Sequence, residues 1–301
     1  MDTLPFDLPG RFWRGNLHTH SDMSDGKLPP AEVAELYHDQ GYDFLSITDH
    51  FRERYGFPVT DTRPLRTEGF TTIIGAELHA PGHEFSDDWH IVAVGLPFDF
   101  ARPAEGETAP ELARRARAAG AWIGMAHPAA ALLTVDDAER LDAAHAVECY
   151  NVLATREDRG DSWHFYDMLV GRGARLHAYA ADDAHFSGHG PAAFGAWVQV
   201  RAERLDPAEL LAALKAGKYY SSTGPELHHV AFDGDHLVVR TSPASVVMVS
   251  GGVPAPAVAE GDERTEWRLP LARLQNSPFL RVTVGDAAGG RAWSNPVWLD
   301  R

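Results

Sequence analysis

Before residue 201 the chain spells out a series of short, almost wholly apolar runs, and most of them stop at a histidine or a carboxylate. They are "NLHTH" (16–20), "FLSITDH" (44–50), "TTIIGAEL" (71–78), "HIVAVGL" (90–96), "AWIGMAHP" (121–128), "AVECYN" (146–151), "RLHAYAADDAH" (175–185) and "FGAWVQV" (194–200). A strand that is apolar along its length needs cover on both faces. Between the runs lie helical patterns near 30–40, 109–119, 136–144, 162–172 and 206–217. Pro30, Pro110 and Pro207 suit first helical turns, and Gly41, Gly120 and Gly217 suit helix ends. This alternation predicts an α/β fold of βα repeats, most simply a barrel.

One connection breaks the alternation. Between Glu77 and His90, the stretch "LHAPGHEFSDDW" (78–89) shows no helical periodicity. A parallel crossover usually takes a dozen or more residues and a helix. The expectation is a hairpin-like excursion, with strand 91–96 antiparallel to 71–77 and His90 returned to the end where Glu77 sits. After "YYSSTGPEL" (219–227) the texture becomes alternating strands and turns, with hairpins expected around Asp233-Gly234-Asp235 and across "GDAAGG". The expected organisation is a barrel over 1–221 and a small β-rich appendage over 222–301.

Charge narrows the partners. Against 43 acidic residues stand 27 basic ones, a net −16, which argues against a nucleic acid duplex or an anionic membrane as partner. The opening "MDTLPFDLPGRFWRG" has no apolar core of a signal peptide, and no run of 18 apolar residues occurs. Cys149 is the single cysteine, so no internal disulfide forms. A cytoplasmic, soluble protein is the expectation. The unusual count is sixteen histidines.

Several of them fall at the inferred strand ends. His18, His20, Asp25, His50, Glu77, His90, His127, Asp183 and His185 would all meet on one rim of a barrel, the rim where active sites sit. So many titratable groups together need a compensating positive charge, and metal ions are its natural source. Mixed imidazole and carboxylate donors suit Zn, Mn or Fe rather than Ca.

The order of these motifs, H-x-H, "SDG", "TDH", a strand-end Glu, an isolated His, "HP" and D-x-H, resembles the polymerase and histidinol phosphatase (PHP) superfamily of metal-dependent phosphoesterases. The resemblance spans roughly residues 15–200. It implies a distorted (βα)7 TIM-like barrel and two to three divalent ions. One ion would be held by His18, His20, Glu77 and Asp183, a second by Glu77 as a bridge with His90 and His127, and a third by Asp25, His50 and His185. Catalysis would then rest on Glu77, Asp183 and His185. The "GNLHTHSDMSDG" opening and the late "AWSNP" more narrowly resemble a branch that includes carbaryl hydrolase, which cleaves a carbamate ester.

Such ions would lower the pKa of a bound water from about 15.7 to about 7 and polarise an ester oxygen. Three divalent ions against three carboxylates leave the centre at roughly +3, enough to capture an anion on an acidic protein. Arg52 and Arg54, directly after "TDH", are candidates to fork a phosphate. Glu148 and Asn151 are candidates for substrate contact, Asp182 for orienting a ligand histidine, and His79 and His83 for a loop over the mouth. The expected substrate is a small phosphate mono- or diester. A carbamate or carboxyl ester at the same cluster, or a non-catalytic metal-binding scaffold, are the rival readings.

Overall fold

The computed structural model describes residues 4–86, 88–188, 193–252 and 255–299. It is a mixed α/β fold in which the strands divide between two sheets. The smaller sheet runs in the order His50–Phe51, Gly75–Pro81, Asp88–Val94, Trp122–Met125, Ala146–Asn151, His177–Ala181. The larger carries Arg11–Asn16, Phe44–Leu45 and Thr71–Thr72 at one end and continues through Trp197–Ala202 and Tyr219–Ser222 into the C-terminal strands.

The expected continuous ladder of one closed sheet is therefore not what the strand pairing draws. Two of the expected strands are each split between the sheets. Phe44 lies opposite Thr71 in the larger sheet and His50 opposite Glu77 in the smaller, with the same residue spacing in both. A parallel bridge between Thr19 and Ala184 joins the other margins. Trp197–Ala202 runs antiparallel to Arg11–Asn16, where a βα repeat would have run parallel.

The excursion behaves as expected. Gly75–Pro81 and Asp88–Val94 pair antiparallel, with His79 opposite His90 and Glu77 opposite Val92. Helices form at Pro30–Asp39, Ala109–Ala118, Val135–Arg140, Trp163–Gly171 and Pro207–Lys215, close to the expected stretches. Gly41, Gly120 and Gly217 follow three of them with positive φ, the left-handed conformation that ends a helix without a Cβ penalty. Among the described residues, no helix is long and apolar enough to cross a membrane.

Both hairpins beyond residue 222 form as expected, Leu227–Asp233 against His236–Gly251 and Phe279–Gly285 against Arg291–Ser294. They extend the larger sheet through Tyr219–Ser222. Phe279, Trp293 and Trp298 pack into the same core as Ile91, Ile123 and Val147. Asn295 ties the two regions: its Oδ1 accepts from Ala178 N at 2.9 Å, and its Nδ2 donates to the carbonyls of Gly217 and Tyr219.

Candidate metal centre

The sequence delivers each site residue through a local device. His18 and His20 lie just past the strand Arg11–Asn16, flanking Thr19 and its bridge to Ala184, so both turn the same way. Asn16 fixes the exit, its Oδ1 accepting from His18 N at 2.9 Å. The "SDG" turn then doubles back. A Cβ on Gly26 would stand 2.7 Å from the backbone of His20, so only glycine lets the loop lie this close. Asp49 holds that loop through Ser21 N, Ser21 Oγ and Ser24 Oγ at 2.7–2.9 Å. His127 and Asp183 sit at positive φ, 27° and 57°, conformations that non-glycine residues keep only where the surroundings impose them.

All nine expected ligand residues come together. Glu77, fully buried, is the centre. Its carboxylate oxygens lie within 4 Å of nitrogens from His18, His20, His50, His79, His90 and His127. Asp183 Oδ1 is 3.0 Å from His20 Nε2 and 3.3 Å from His18 Nε2. Asp25 Oδ1 is 3.4 Å from His50 Nε2 and 3.3 Å from His185 Nε2. His20 stacks on His185 at 4.1 Å and lies 4.3 Å from His50, so it borders this third group too.

The electrostatics are those of acids demanding cations. Burial alone would raise the carboxyls of Glu77 and Asp183, yet the surrounding imidazoles hold both well below the usual range. Asp25 is likewise depressed by His185 and His50 against the opposing effect of burial. Burial opposes a charged ring at His18, His127 and His185, but the nearby carboxylates win and raise all three. His50 is raised to about 10, Glu77 and Asp25 outweighing its burial. His20 and His90 go the other way, to about 4, because burial dominates there.

The donor set fits divalent ions. His18 Nδ1 lies 3.0 Å from Glu148 Oε1, which leaves Nε2 facing Glu77 and Asp183. That Nε2, and Glu77 Oε2 on the side of the carboxylate toward His20 and His79, are buried and make no hydrogen bond among the described residues. A carboxylate holding the outer nitrogen of a ring whose inner nitrogen faces carboxylates is the usual support of a metal-ligating histidine. Donor atoms within 4.8 Å of one another occur in several groups, among them His20–Asp25–His50–His185, His18–His20–Asp183 and His18–Glu77–His127. Nitrogen and oxygen donors in this mixture suit Zn, Mn or Fe.

Other candidates are placed differently from expectation. Glu148 and Asn151 do not face outward. Glu148 Oε2 accepts from His127 N at 2.7 Å and from Asn151 Nδ2 at 2.9 Å, so both residues brace the cluster from behind. Among the described residues Asp182 orients no histidine; it accepts from Tyr37 Oη and from the backbone of Phe194, Gly195 and Ala196. Arg52 is paired with Asp88 at 2.7 Å, and Arg54 is exposed, its guanidinium over the Tyr55 ring. His83 is buried against Trp89. Asp49, Asp88 and the inward role of His79 were missed. Period-two alternation from Glu77 already put His79 on the same face of its strand; Asp49 and Asp88 carried no such signal.

No family model matches the sequence, and no curated protein matches it. Solved structures do resemble it. Over 99% of both chains, at 13% identity and a TM-score of 0.51, it is similar to a two-domain protein of Bacteroides vulgatus ATCC 8482 described as containing a predicted PHP-like metal-dependent phosphoesterase. Over 57% of this chain and 87% of the other, it is similar at 15% identity and a TM-score of 0.38 to a protein of Bifidobacterium adolescentis ATCC 15703 described as a metal-dependent phosphoesterase. With the same coverage, at 16% identity and a TM-score of 0.37, it is similar to an amidohydrolase of Chromobacterium violaceum. At these identities the likeness is one of fold, and the first neighbour shares it along the whole chain.

Proposed function

We propose that this chain is a hydrolase of the PHP type whose work depends on two to three divalent ions, Zn, Mn or Fe, held by the nine residues above. The observation that carries the reading is Glu77: one fully buried carboxylate faced by six histidines has the place of a bridge between ions. The matched register of 44–51 with 71–78 and the Thr19–Ala184 bridge support a distorted seven-stranded barrel around it. Residues 222–301 are proposed as a β-rich appendage supplying no ligand. His228, His229 and His236 there pair with Glu226, Asp7 and Asp235 instead.

Bound divalent ions would supply an activated water and a polarised ester oxygen. The chain's own part is to hold the donors. With an ion bound, Glu148 would keep the one remaining His18 ring proton on Nδ1, so that Nε2 presents its lone pair inward. His127 is fixed through its backbone N–H, and Asp183 through Asn151 Nδ2 at 3.2 Å. The preferred substrate is a small phosphate mono- or diester, because an anion gains most from a cationic centre, and Arg54, exposed over the Tyr55 ring that stacks on His50, is free to meet it. Because Arg52 is already paired with Asp88, a neutral aryl carbamate or carboxyl ester is the second reading.

The test is elemental analysis of the purified protein followed by a panel of phosphomonoesters, phosphodiesters and aryl carbamates with Mn, Zn and Fe. Two to three ions per chain with hydrolysis of a phosphate ester is expected. Fewer than one ion after loading would overturn the metal centre, full loading without turnover would favour the scaffold reading, and carbamates turning over faster than every phosphate ester would favour the second.

A further inference from the structure

Beside the cluster, on the antiparallel excursion, stand a second set of donors. Asp88 Oδ2, His79 Nδ1 and His90 Nε2 surround one atom, Nη2 of Arg52, at 2.7, 3.0 and 3.4 Å. Nη2 carries two protons and meets three acceptors, so hydrogen bonding alone does not account for the crowding. The three residues offer ligand atoms within 4.8 Å of one another, and His79 Nδ1 is 3.6 Å from Asp88 Oδ2. Two ligands on a tetrahedral zinc, each at about 2.1 Å, stand about 3.4 Å apart. The donors are thus spaced for an ion and hold a guanidinium nitrogen instead.

We propose that His79, Asp88 and His90 form a further divalent-cation site that Arg52 keeps filled, so that its guanidinium limits how many ions this centre takes. The proposal rests on the metal-dependent reading above. Its physical content lies in His90, whose Nδ1 is 2.7 Å from Glu77 Oε1. An ion on the outer side would compete for this ring and pull it from Glu77. A guanidinium stays charged at any working pH, cannot be chelated away, and makes no coordinate bond. It therefore satisfies Asp88 while leaving His90 to Glu77. Arg52 Nε, buried and without a hydrogen bond among the described residues, fits a side chain placed for its Nη2 end.

Zinc is the probe. Wild type, Arg52→Ala and Arg52→Ala/Asp88→Asn are loaded with excess zinc and desalted. Ions per chain are counted by elemental analysis, at matched circular dichroism, and Arg52→Ser serves the same comparison if the alanine variant does not fold. The expected result is one more ion per chain in Arg52→Ala than in wild type, and a return to the wild-type number in the double variant. Equal numbers in wild type and Arg52→Ala would overturn the proposal, and so would an extra ion that survives Asp88→Asn. A wild type without metal whose Arg52→Ala variant takes one ion would leave this inference standing and remove the catalytic reading. The reverse pattern, a loaded wild type and no gain in the variant, would remove this inference alone.

Discussion

Glu148→Gln changes one atom and should loosen the whole centre. The wild-type carboxylate is fully buried and accepts on both oxygens: Oε1 faces His18 Nδ1 at 3.0 Å, and Oε2 takes the N–H groups of His127 and Asn151 at 2.7 and 2.9 Å. Glutamine keeps the shape but must put an NH2 group on one side. Two donors already point at the Oε2 position, so the amide oxygen belongs there and its NH2 turns to His18. Nδ1 must then accept, the ring proton moves to Nε2, and the lone pair that faced Glu77 and Asp183 is gone. Loss of such an outer partner costs 10- to 100-fold in metal affinity, or about 1.4–2.7 kcal/mol. Titration against a competing chelator measures it, with the number of ions at saturation unchanged and the fold checked by circular dichroism. An affinity within twofold of wild type would refute the argument that Glu148 sets the His18 tautomer.

Three further outcomes are expected. Glu77→Gln should cost more activity and more bound metal than Asp25→Asn, because Glu77 is within 4 Å of six histidines and Asp25 of two; equal or reversed losses in a metal count and an ester assay would remove the bridging role. Gly26→Ala should destabilise the protein by about 1–3 kcal/mol in urea unfolding and weaken one ion's binding, since the added Cβ meets His20 backbone at 2.7 Å and displaces Asp25; a neutral effect would show that the loop has slack. Kept metal-free with a chelator, the protein should be most stable near pH 6.5. His50, raised from 6.5 to about 10, contributes fully below pH 6.5 and loses that contribution as pH rises through 10, while His20 and His90, lowered to about 4, cost stability as pH falls below 6.5. Urea midpoints that climb steadily from pH 6.5 to 9.5 would contradict these assignments.

What the sequence showed, and what it hid, follows the range of the interactions. The apolar runs, the helix ends at Gly41, Gly120 and Gly217 and the antiparallel return of 90–96 rest on local periodicity and backbone preference, and they were legible. The convergence of the nine expected ligand residues was legible as well, because most of them stand at or near strand margins, and these meet whether or not one sheet closes around them. The split of 44–51 and 71–78 between two sheets was not. It depends on where the regular ladder gives way to single backbone bonds between Leu45 and His50, such as Thr48 N to Thr19 O, and apolar pattern carries no trace of that. The residues behind the ligands were misread for a related reason. Glu148 and Asn151 sit at a strand end as several of the expected ligands do, and strand position alone cannot tell a carboxylate facing substrate from one whose two oxygens are taken by a ring nitrogen and a backbone N–H. Arg52 shows the same limit with the opposite sign. Its place after "TDH" suggested an anion to hold, but across the excursion Asp88 is 2.7 Å away, and the anion it holds is the protein's own.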